Sequence, residues 1–213
     1  MEVLIQNIPF LLQGAYYTLL ITLVSMFFGS LIGIIVAIAR LKGNKAIQAV
    51  ARGYVSIIRG TPTLVQIIII YYGLVDFGIS LDPLPAAFIA LSVNNGAYLS
   101  ESIRGALQSI PKGQMEAAYA TGMTPWQAMR RIILPQAIRI AIPPGNTFIG
   151  MLKETSLVSV ISVTELLRSA QLLIAQYYSY MPFYLGIAVI YWIMSTVFSF
   201  LLNKLEARMS IYE

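Results

Sequence analysis

The longest uncharged stretch of the sequence lies at its start, where no charged residue occurs between Glu2 and Arg40. A helix needs about 20 predominantly apolar residues to cross the hydrocarbon core of a bilayer, and only part of this stretch is required for that. We therefore predict a first transmembrane helix over about residues 14–39. This feature places the chain in a membrane before any other residue is considered.

The composition agrees with a membrane location. Hydrophobic residues make up 58% of the chain and charged residues 11%, whereas about a quarter of residues are charged in soluble domains. The absence of cysteine excludes a disulfide framework, and the absence of histidine removes the commonest general base and metal ligand. In a membrane protein the net charge of +5 reports orientation, so we expect no nucleic-acid partner.

Four further transmembrane spans are predicted, over about residues 55–75, 83–105, 132–152 and 182–203. The segment before the second span is expected to begin as a surface helix, and Pro62 interrupts the span itself. Pro143 and Pro144 break the fourth span, which we predict to be a kinked helix facing protein or a cavity. The segment after it, residues 155–180, is expected to contain short helices and a loop.

Between the third and fourth spans, about residues 111–131, the sequence predicts an amphipathic elbow of two short helices outside the membrane. The Ser109 hydroxyl is expected to cap the first helix, and Gly122 is the residue type favoured for a left-handed C-cap. Thr124 with Gln127 three residues later matches a capping box at the start of the second helix.

The distribution of basic residues predicts the topology. With five spans, all of the fourteen Lys and Arg residues except Lys153 and Arg168 fall on one side, which is the cytoplasmic side by the positive-inside rule. The N-terminus is then outside, and the elbow and C-terminus are cytoplasmic. The predicted fold is an all-α integral membrane protein: a single transmembrane domain over residues 1–213, with five transmembrane helices and the cytoplasmic elbow.

The elbow also resembles a known motif, the EAA loop of ATP-binding-cassette (ABC) importer permeases. The residues that carry this resemblance are Glu116, Ala117, Ala118, Gly122, Ile132, Leu134 and Pro135. Further stretches, Arg59 to Pro62 and Lys153 to Leu157 among them, look like permeases of the polar amino-acid uptake family. The resemblance covers about residues 59–157, and Glu154 departs from the Asp or Asn that is more usual in that family.

The resemblance implies a non-catalytic transport subunit of a bacterial inner membrane. The chain has no phosphate-binding loop of the G-x-x-x-x-G-K-[ST] type, so a partner ATPase would bind ATP and Mg²⁺. The other implied partners are a second permease subunit, an external solute-binding protein and membrane lipid. We expect the two permeases to form a homodimer, and a heterodimer of related permeases is the alternative.

The residues expected to couple to the ATPase are Glu116, Ala117, Ala118 and Gly122. The alanines permit close approach, Glu116 offers a charge-assisted hydrogen bond, and Gly122 sets the angle between the two helices. In the alternative interpretation, Met115, Tyr119 and Trp126 only hold the elbow among lipid headgroups.

Polar side chains at membrane depth are the candidates for binding an amino-acid substrate. They are Glu154, Thr155, Ser156, Thr61, Asn94 and Asn95. The Glu154 carboxylate suits a cationic side chain such as a guanidinium, which favours a basic amino acid. Alternatively, Lys153 neutralises Glu154, and the two asparagines only form hydrogen bonds between helices.

Two other charged residues, Glu101 and Arg104, lie three apart on one predicted helix and are interpreted as a structural ion pair. Other classes of function are less well supported by the sequence. A secondary transporter would carry its own coupling-ion site and often an inverted repeat, and a channel would not require a capped elbow. An intramembrane enzyme would need a catalytic set of side chains, and none is visible.

Overall fold

The structure, a computed structural model, describes residues 2–141 and 144–210, without the side chains of residues 138–141, 144–145 and 205–210. The described residues form helices and connecting turns, with no strand. Their α-helices are α1 (Glu2–Gln6), α2 (Ile8–Lys42), α3 (Lys45–Gly60), α4 (Thr63–Tyr71), α5 (Pro83–Ser109), α6 (Lys112–Ala120), α7 (Pro125–Ala128), α8 (Leu134–Ala141), α9 (Pro144–Glu154), α10 (Leu166–Tyr177) and α11 (Met181–Ser210). Tighter 3₁₀ turns cover Gly73–Phe77 and Thr155–Ile161, and a π-helical turn covers Met129–Ile133.

Two of the long helices, α2 and α5, pack closely at the centre of the fold. A Cβ atom added to Gly29 would lie 2.6 Å from Nδ2 of Asn95, and one added to Gly96 would lie 2.5 Å from Cγ2 of Ile32. Small residues at helix interfaces allow backbones in a membrane to approach in this way. The pair α2–α5 therefore forms the frame against which the shorter helices pack.

The second predicted span, about residues 55–75, is not one continuous helix. Helix α3 ends at Gly60, α4 begins at Thr63, and the two directions differ by 107°. Pro62, which has no N–H group to donate, lies in the break. The surface helix predicted before this span is therefore part of α3, and the span itself is bent sharply.

The fourth predicted span, about residues 132–152, is described on either side of residues 142–143. Its first part continues from the elbow through α7, the π-helical turn and α8, which ends at Ala141, and α9 begins at Pro144. The predicted break at Pro143 lies outside the described residues. Residues 155–180 contain a 3₁₀ turn and α10, as the sequence predicted.

Among the described residues, two helices are long and apolar enough to cross a membrane: α2, and the part of α11 at Met181–Lys204. The number rises to four if each of two bent pairs counts as one span, namely Lys45–Gly60 with Thr63–Phe77 and Asn146–Ile161 with Leu166–Tyr177. Helix α5 is absent from this set. The count of five spans therefore stays a prediction.

The sequence predicted three helix caps in the elbow. The caps at Gly122 and at Thr124 are present, and the cap at Ser109 is not. Gly122 has φ +79° and closes a Schellman motif, in which its N–H donates to Tyr119 and the N–H of Met123 donates to Ala118. The predicted cap at Ser109 is wrong, because its hydroxyl donates to the Ala106 carbonyl at the end of α5 instead. The first turn of α6 has no side-chain cap.

The second helix of the elbow begins with the predicted capping box. Gln127 donates its backbone N–H to Oγ1 of Thr124 (3.3 Å), and the Thr124 N–H donates to Oε1 of Gln127 (2.9 Å). This helix, α7, has only four residues before the π-helical turn. The elbow is therefore joined to the following helix without a loop.

Candidate functional site

One cavity of about 340 Å³ brings together several of the polar side chains that the sequence singled out. It lies between α5, α9 and the C-terminal end of α3. Its lining residues are Arg59, Asn94, Asn95, Tyr98, Glu101, Ser102, Thr147, Gly150, Met151 and Glu154. The cavity thus has a cation, two carboxylates and two amides within one space.

Three of the six predicted binding residues line this cavity: Asn94, Asn95 and Glu154. Thr155 does not, since it is fully buried and its hydroxyl donates to the Leu152 carbonyl at 2.8 Å. Ser156 likewise donates to a carbonyl of its own helical turn, that of Lys153.

The sixth candidate, Thr61, also lies away from the cavity lining. It is exposed at the break between α3 and α4, and its hydroxyl donates to the Ile57 carbonyl at 2.9 Å. Its own oxygen accepts a hydrogen bond from Nε2 of Gln66 at 2.9 Å. The Thr61 hydroxyl therefore forms hydrogen bonds within the break between α3 and α4.

Both asparagines form contacts between helices as well as lining the cavity. Asn94 is 2% exposed, and its Nδ2 donates to Oε1 of Gln66 (3.0 Å) and to Oγ1 of Thr63 (3.2 Å). Nδ2 of Asn95 lies 3.6 Å from the sulfur of Met26 on α2. The asparagines thus form contacts between helices and also line the cavity, so these contacts do not decide between the two interpretations.

Glu154, the last residue of α9, is half-buried on the cavity lining. No ion pair to Glu154 is found among the described side chains, although Lys153 adjoins it in the sequence. Lys153 is exposed. The alternative in which Lys153 neutralises Glu154 thus receives no support from a direct contact.

A cluster of charges surrounds Glu101. The predicted pair with Arg104 is confirmed, with Nη2 of Arg104 2.8 Å from Oε2 of Glu101. Arg40 at the end of α2 also forms an ion pair with Glu101, and Nη1 of Arg59 lies 3.7 Å from Oε2. The cluster therefore joins α2, α3 and α5 through one carboxylate shared by three guanidinium groups.

Arg59 is the basic residue of this cluster that reaches the cavity. Its guanidinium carbon lies 5.4 Å from the centre of the Tyr98 ring, which is a cation–π distance, and 45% of its side chain is exposed. Arg59 can offer positive charge to an anionic group in the cavity.

The elbow divides its predicted coupling residues between two environments. Ala118 is 2% exposed, so its small side chain serves the packing of the elbow against its own chain. Glu116 and Ala117 are exposed. Gly122 is also exposed and nothing lies within 4 Å of where a Cβ would stand. An outer surface centred on Glu116 and Ala117 therefore remains available to a partner.

The aromatic residues of the elbow do not pack into the chain as a continuous stripe. Trp126 is 64% exposed and Tyr119 47% exposed, whereas Ile133 is buried with Ala106 and Ile110 of the α5 end. Nζ of Lys42 lies 5.6 Å from the Trp126 ring.

No group of three or more acidic residues close enough to hold a metal ion occurs in the part of the chain that the structure describes.

This arrangement of helices and elbow can be compared with known proteins. Residues 29–211 match the family described as "Binding-protein-dependent transport system inner membrane component". The chain belongs to this family. The predicted resemblance to ABC importer permeases, based on the EAA pattern, is thereby confirmed, and the members of this family are transport components and not catalytic ones.

Relatives of this inner membrane component align over nearly its full length. The L-cystine transport system permease protein TcyB of Bacillus subtilis is 46% identical, with 96% of this chain and 88% of the relative covered. The glutamine transport system permease protein GlnP of Escherichia coli is 41% identical, with 96% and 94% covered.

Solved structures share the fold of this inner membrane component. One described as an amino acid ABC transporter with histidines has 41% identity and a TM-score of 0.91, with 96% of both chains covered. The MetNI methionine ABC transporter in inward-facing conformations has 24% identity and a TM-score of 0.76, with 95% of this chain and 97% of that chain covered, and shows the fold alone.

Proposed function

We propose that this permease is the transmembrane subunit of an ATP-driven importer for polar, basic amino acids. The observation that carries the proposal is the half-buried carboxylate of Glu154 on a cavity that also contains Arg59 and two asparagine amides. Relatives named for L-cystine and glutamine transport, and a solved amino acid transporter with histidines, support an amino acid as the substrate class.

The cavity matches the three polar groups of a basic amino acid. Glu154 pairs with the cationic side chain, Arg59 with the α-carboxylate, and an asparagine carbonyl accepts from the α-ammonium group. Charge-assisted hydrogen bonds of this kind are roughly twice as strong as neutral ones. Thr61, Thr155 and Ser156, the other predicted binding residues, act in this scheme by shaping the backbone around the cavity.

Energy reaches the cavity through the elbow. The exposed surface of Glu116 and Ala117 docks on a separate ABC ATPase subunit, which binds ATP and Mg²⁺, while Gly122 fixes the angle between the two elbow helices. A second copy of the permease completes the pathway as a homodimer, and a solute-binding protein delivers substrate from outside. The protein lies in the bacterial inner membrane with its N-terminus outside and its C-terminus in the cytoplasm.

An ATP-independent secondary transporter or a channel is the alternative. The discriminating measurement is co-purification of the permease with an ABC ATPase subunit. A stable complex whose ATPase responds to substrate supports the importer. Uptake in proteoliposomes that continues at the same rate without ATP would favour the alternative.

The substrate preference is tested by Glu154→Gln in the reconstituted complex. We expect the arginine concentration for half-maximal ATPase stimulation to rise at least about tenfold, because a charge-assisted bond contributes roughly 1.5–3 kcal/mol. Stimulation by glutamine should change less than twofold. Asp76→Asn, at an exposed carboxylate outside the cavity lining, is the matched control. An unchanged response to arginine in Glu154→Gln would overturn the preference for basic amino acids.

A further inference from the structure

The break between α3 and α4 leaves backbone carbonyls without their usual helical donors. The Ile58 carbonyl would accept a hydrogen bond from residue 62 in a continuous helix, but residue 62 is proline and has no N–H. Nε2 of Gln66 takes this place, at 2.7 Å from the Ile58 oxygen and 3.0 Å from the Thr61 carbonyl. A side-chain amide therefore replaces the missing backbone donor.

These two carbonyls determine which way the Gln66 amide points. A carbonyl oxygen only accepts, so the NH₂ end of Gln66 must face Ile58 and Thr61. Its Oε1 atom is then turned towards α5. Gln66 is 7% exposed, and reversal of its amide would leave two carbonyls facing an oxygen.

The orientation of the Gln66 amide also determines the orientation of the Asn94 amide. Since Oε1 of Gln66 can only accept, Asn94 must present its NH₂ group, and Nδ2 lies 3.0 Å from Oε1 and 3.2 Å from Oγ1 of Thr63. Both N–H groups of Asn94 thus have acceptors. No donor to Oδ1 of Asn94 is found among the residues that the structure describes, and Asn94 lines the cavity.

We infer that Gln66 is a positioning residue for substrate selection: it holds the Asn94 carbonyl oxygen towards the cavity, where it accepts a hydrogen bond from the α-ammonium group of the substrate. This inference rests on the proposed amino-acid function. Gln66 does not line the cavity and acts only through Asn94. The missing N–H of Pro62 thus fixes the Gln66 amide, and Gln66 in turn fixes the Asn94 amide. This part of the cavity therefore favours a substrate group that donates a hydrogen bond.

Selectivity for the α-ammonium group tests the inference. The permease–ATPase complex, without binding protein, is titrated with L-arginine, L-lysine, L-histidine, L-glutamine and L-cystine. The tightest-binding amino acid is then compared with its analogue lacking the α-amino group. In Gln66→Met we expect the preference for the amino acid over the analogue to fall about tenfold, while affinity for the analogue changes less than twofold. Gln48→Met removes an amide that bonds the Gly43 carbonyl at the other end of α3, and it should leave the preference unchanged.

A double-mutant cycle separates positioning from a general structural effect. Asn94→Leu should lower the preference as much as Gln66→Met, and Gln66→Met should have no further effect on it in the Asn94→Leu background. Equal loss of affinity for amino acid and analogue in Gln66→Met would overturn the inference, as would additive effects in the cycle. If glutamine or cystine binds more tightly than the basic amino acids, the basic preference is wrong while the cycle still decides the role of Gln66. Failure of all five to bind the unmodified complex overturns both.

Discussion

Arg40 and Glu101 form an ion pair that joins the C-terminal end of α2 to α5. Their side chains are 16% and 18% exposed, so solvent only partly screens the contact. Arg59 and Arg104 share the same carboxylate. Glu101 is thus the negative charge that allows three guanidinium groups to lie together.

Glu101→Gln should therefore destabilise the permease. Loss of the carboxylate removes charge-assisted hydrogen bonds, each contributing roughly 1.5–3 kcal/mol, and leaves the arginines to repel one another. We expect a fall in the melting temperature of the purified protein on the order of 5 °C. Glu116→Gln, at an exposed carboxylate of the elbow, is the control and should melt as the unmodified protein does. Equal melting temperatures for both variants would show that the cluster contributes nothing.

Gly122→Ala should strain the elbow. Gly122 has φ +79°, and a residue with a Cβ pays about 1–2 kcal/mol in the left-handed region. We expect lower stability and weaker substrate-stimulated ATPase activity, measured on the same preparation. Gly113→Ala in α6 is the matched control, since its Cβ would meet nothing within 4 Å and alanine favours a helix. A Gly122→Ala variant as stable as Gly113→Ala would contradict the importance of the turn.

Ala117→Arg should separate the permease from its ATPase without unfolding it. Ala117 is exposed on α6, where a bulky charged side chain would disturb the proposed docking surface and not the core. We expect loss of co-purification with the ATPase and an unchanged melting temperature for the permease alone. Ala46→Arg, exposed near the start of α3, provides the control for added charge. Retention of the complex by Ala117→Arg would exclude this surface as the docking site.

The features that the sequence predicted correctly depend on neighbouring residues. Gly122 and the pair of Thr124 with Gln127 form caps from side chains at most a few positions away, and the structure contains both. The cap at Ser109 failed, although the residue type was suitable, because a carbonyl of the preceding helix turn competes for the same hydroxyl. Local patterns indicate what a residue can bond, while the geometry of the helix end decides which partner it meets.

The features that the sequence did not predict depend on distant residues. Arg40 belongs to α2 and Glu101 to α5, and no rule of sequence spacing predicts that they pair. The bond between Gln66 and Asn94 similarly requires α4 and α5 to be placed side by side. Pro62 marked the interruption of the second span, but the 107° bend depends on how the two pieces pack. Three of the six candidate binding residues line the cavity, and only the three-dimensional arrangement shows which three they are.

The close approach of α2 and α5 at Gly29 and Gly96 has a consequence for the transport cycle. Sliding of one helix along the other would drive the Asn95 or Ile32 side chain into the opposite backbone, so the two helices should move as one body. The cavity wall that carries the asparagines then stays fixed to α2, and changes in the shape of the cavity come from α9 and the end of α3. Distances to Glu154 would vary through the cycle while those to Asn94 stay constant. If the substrate binds as proposed, its release would therefore begin with the contact between its side chain and Glu154 and end with the contact between its α-ammonium group and Asn94.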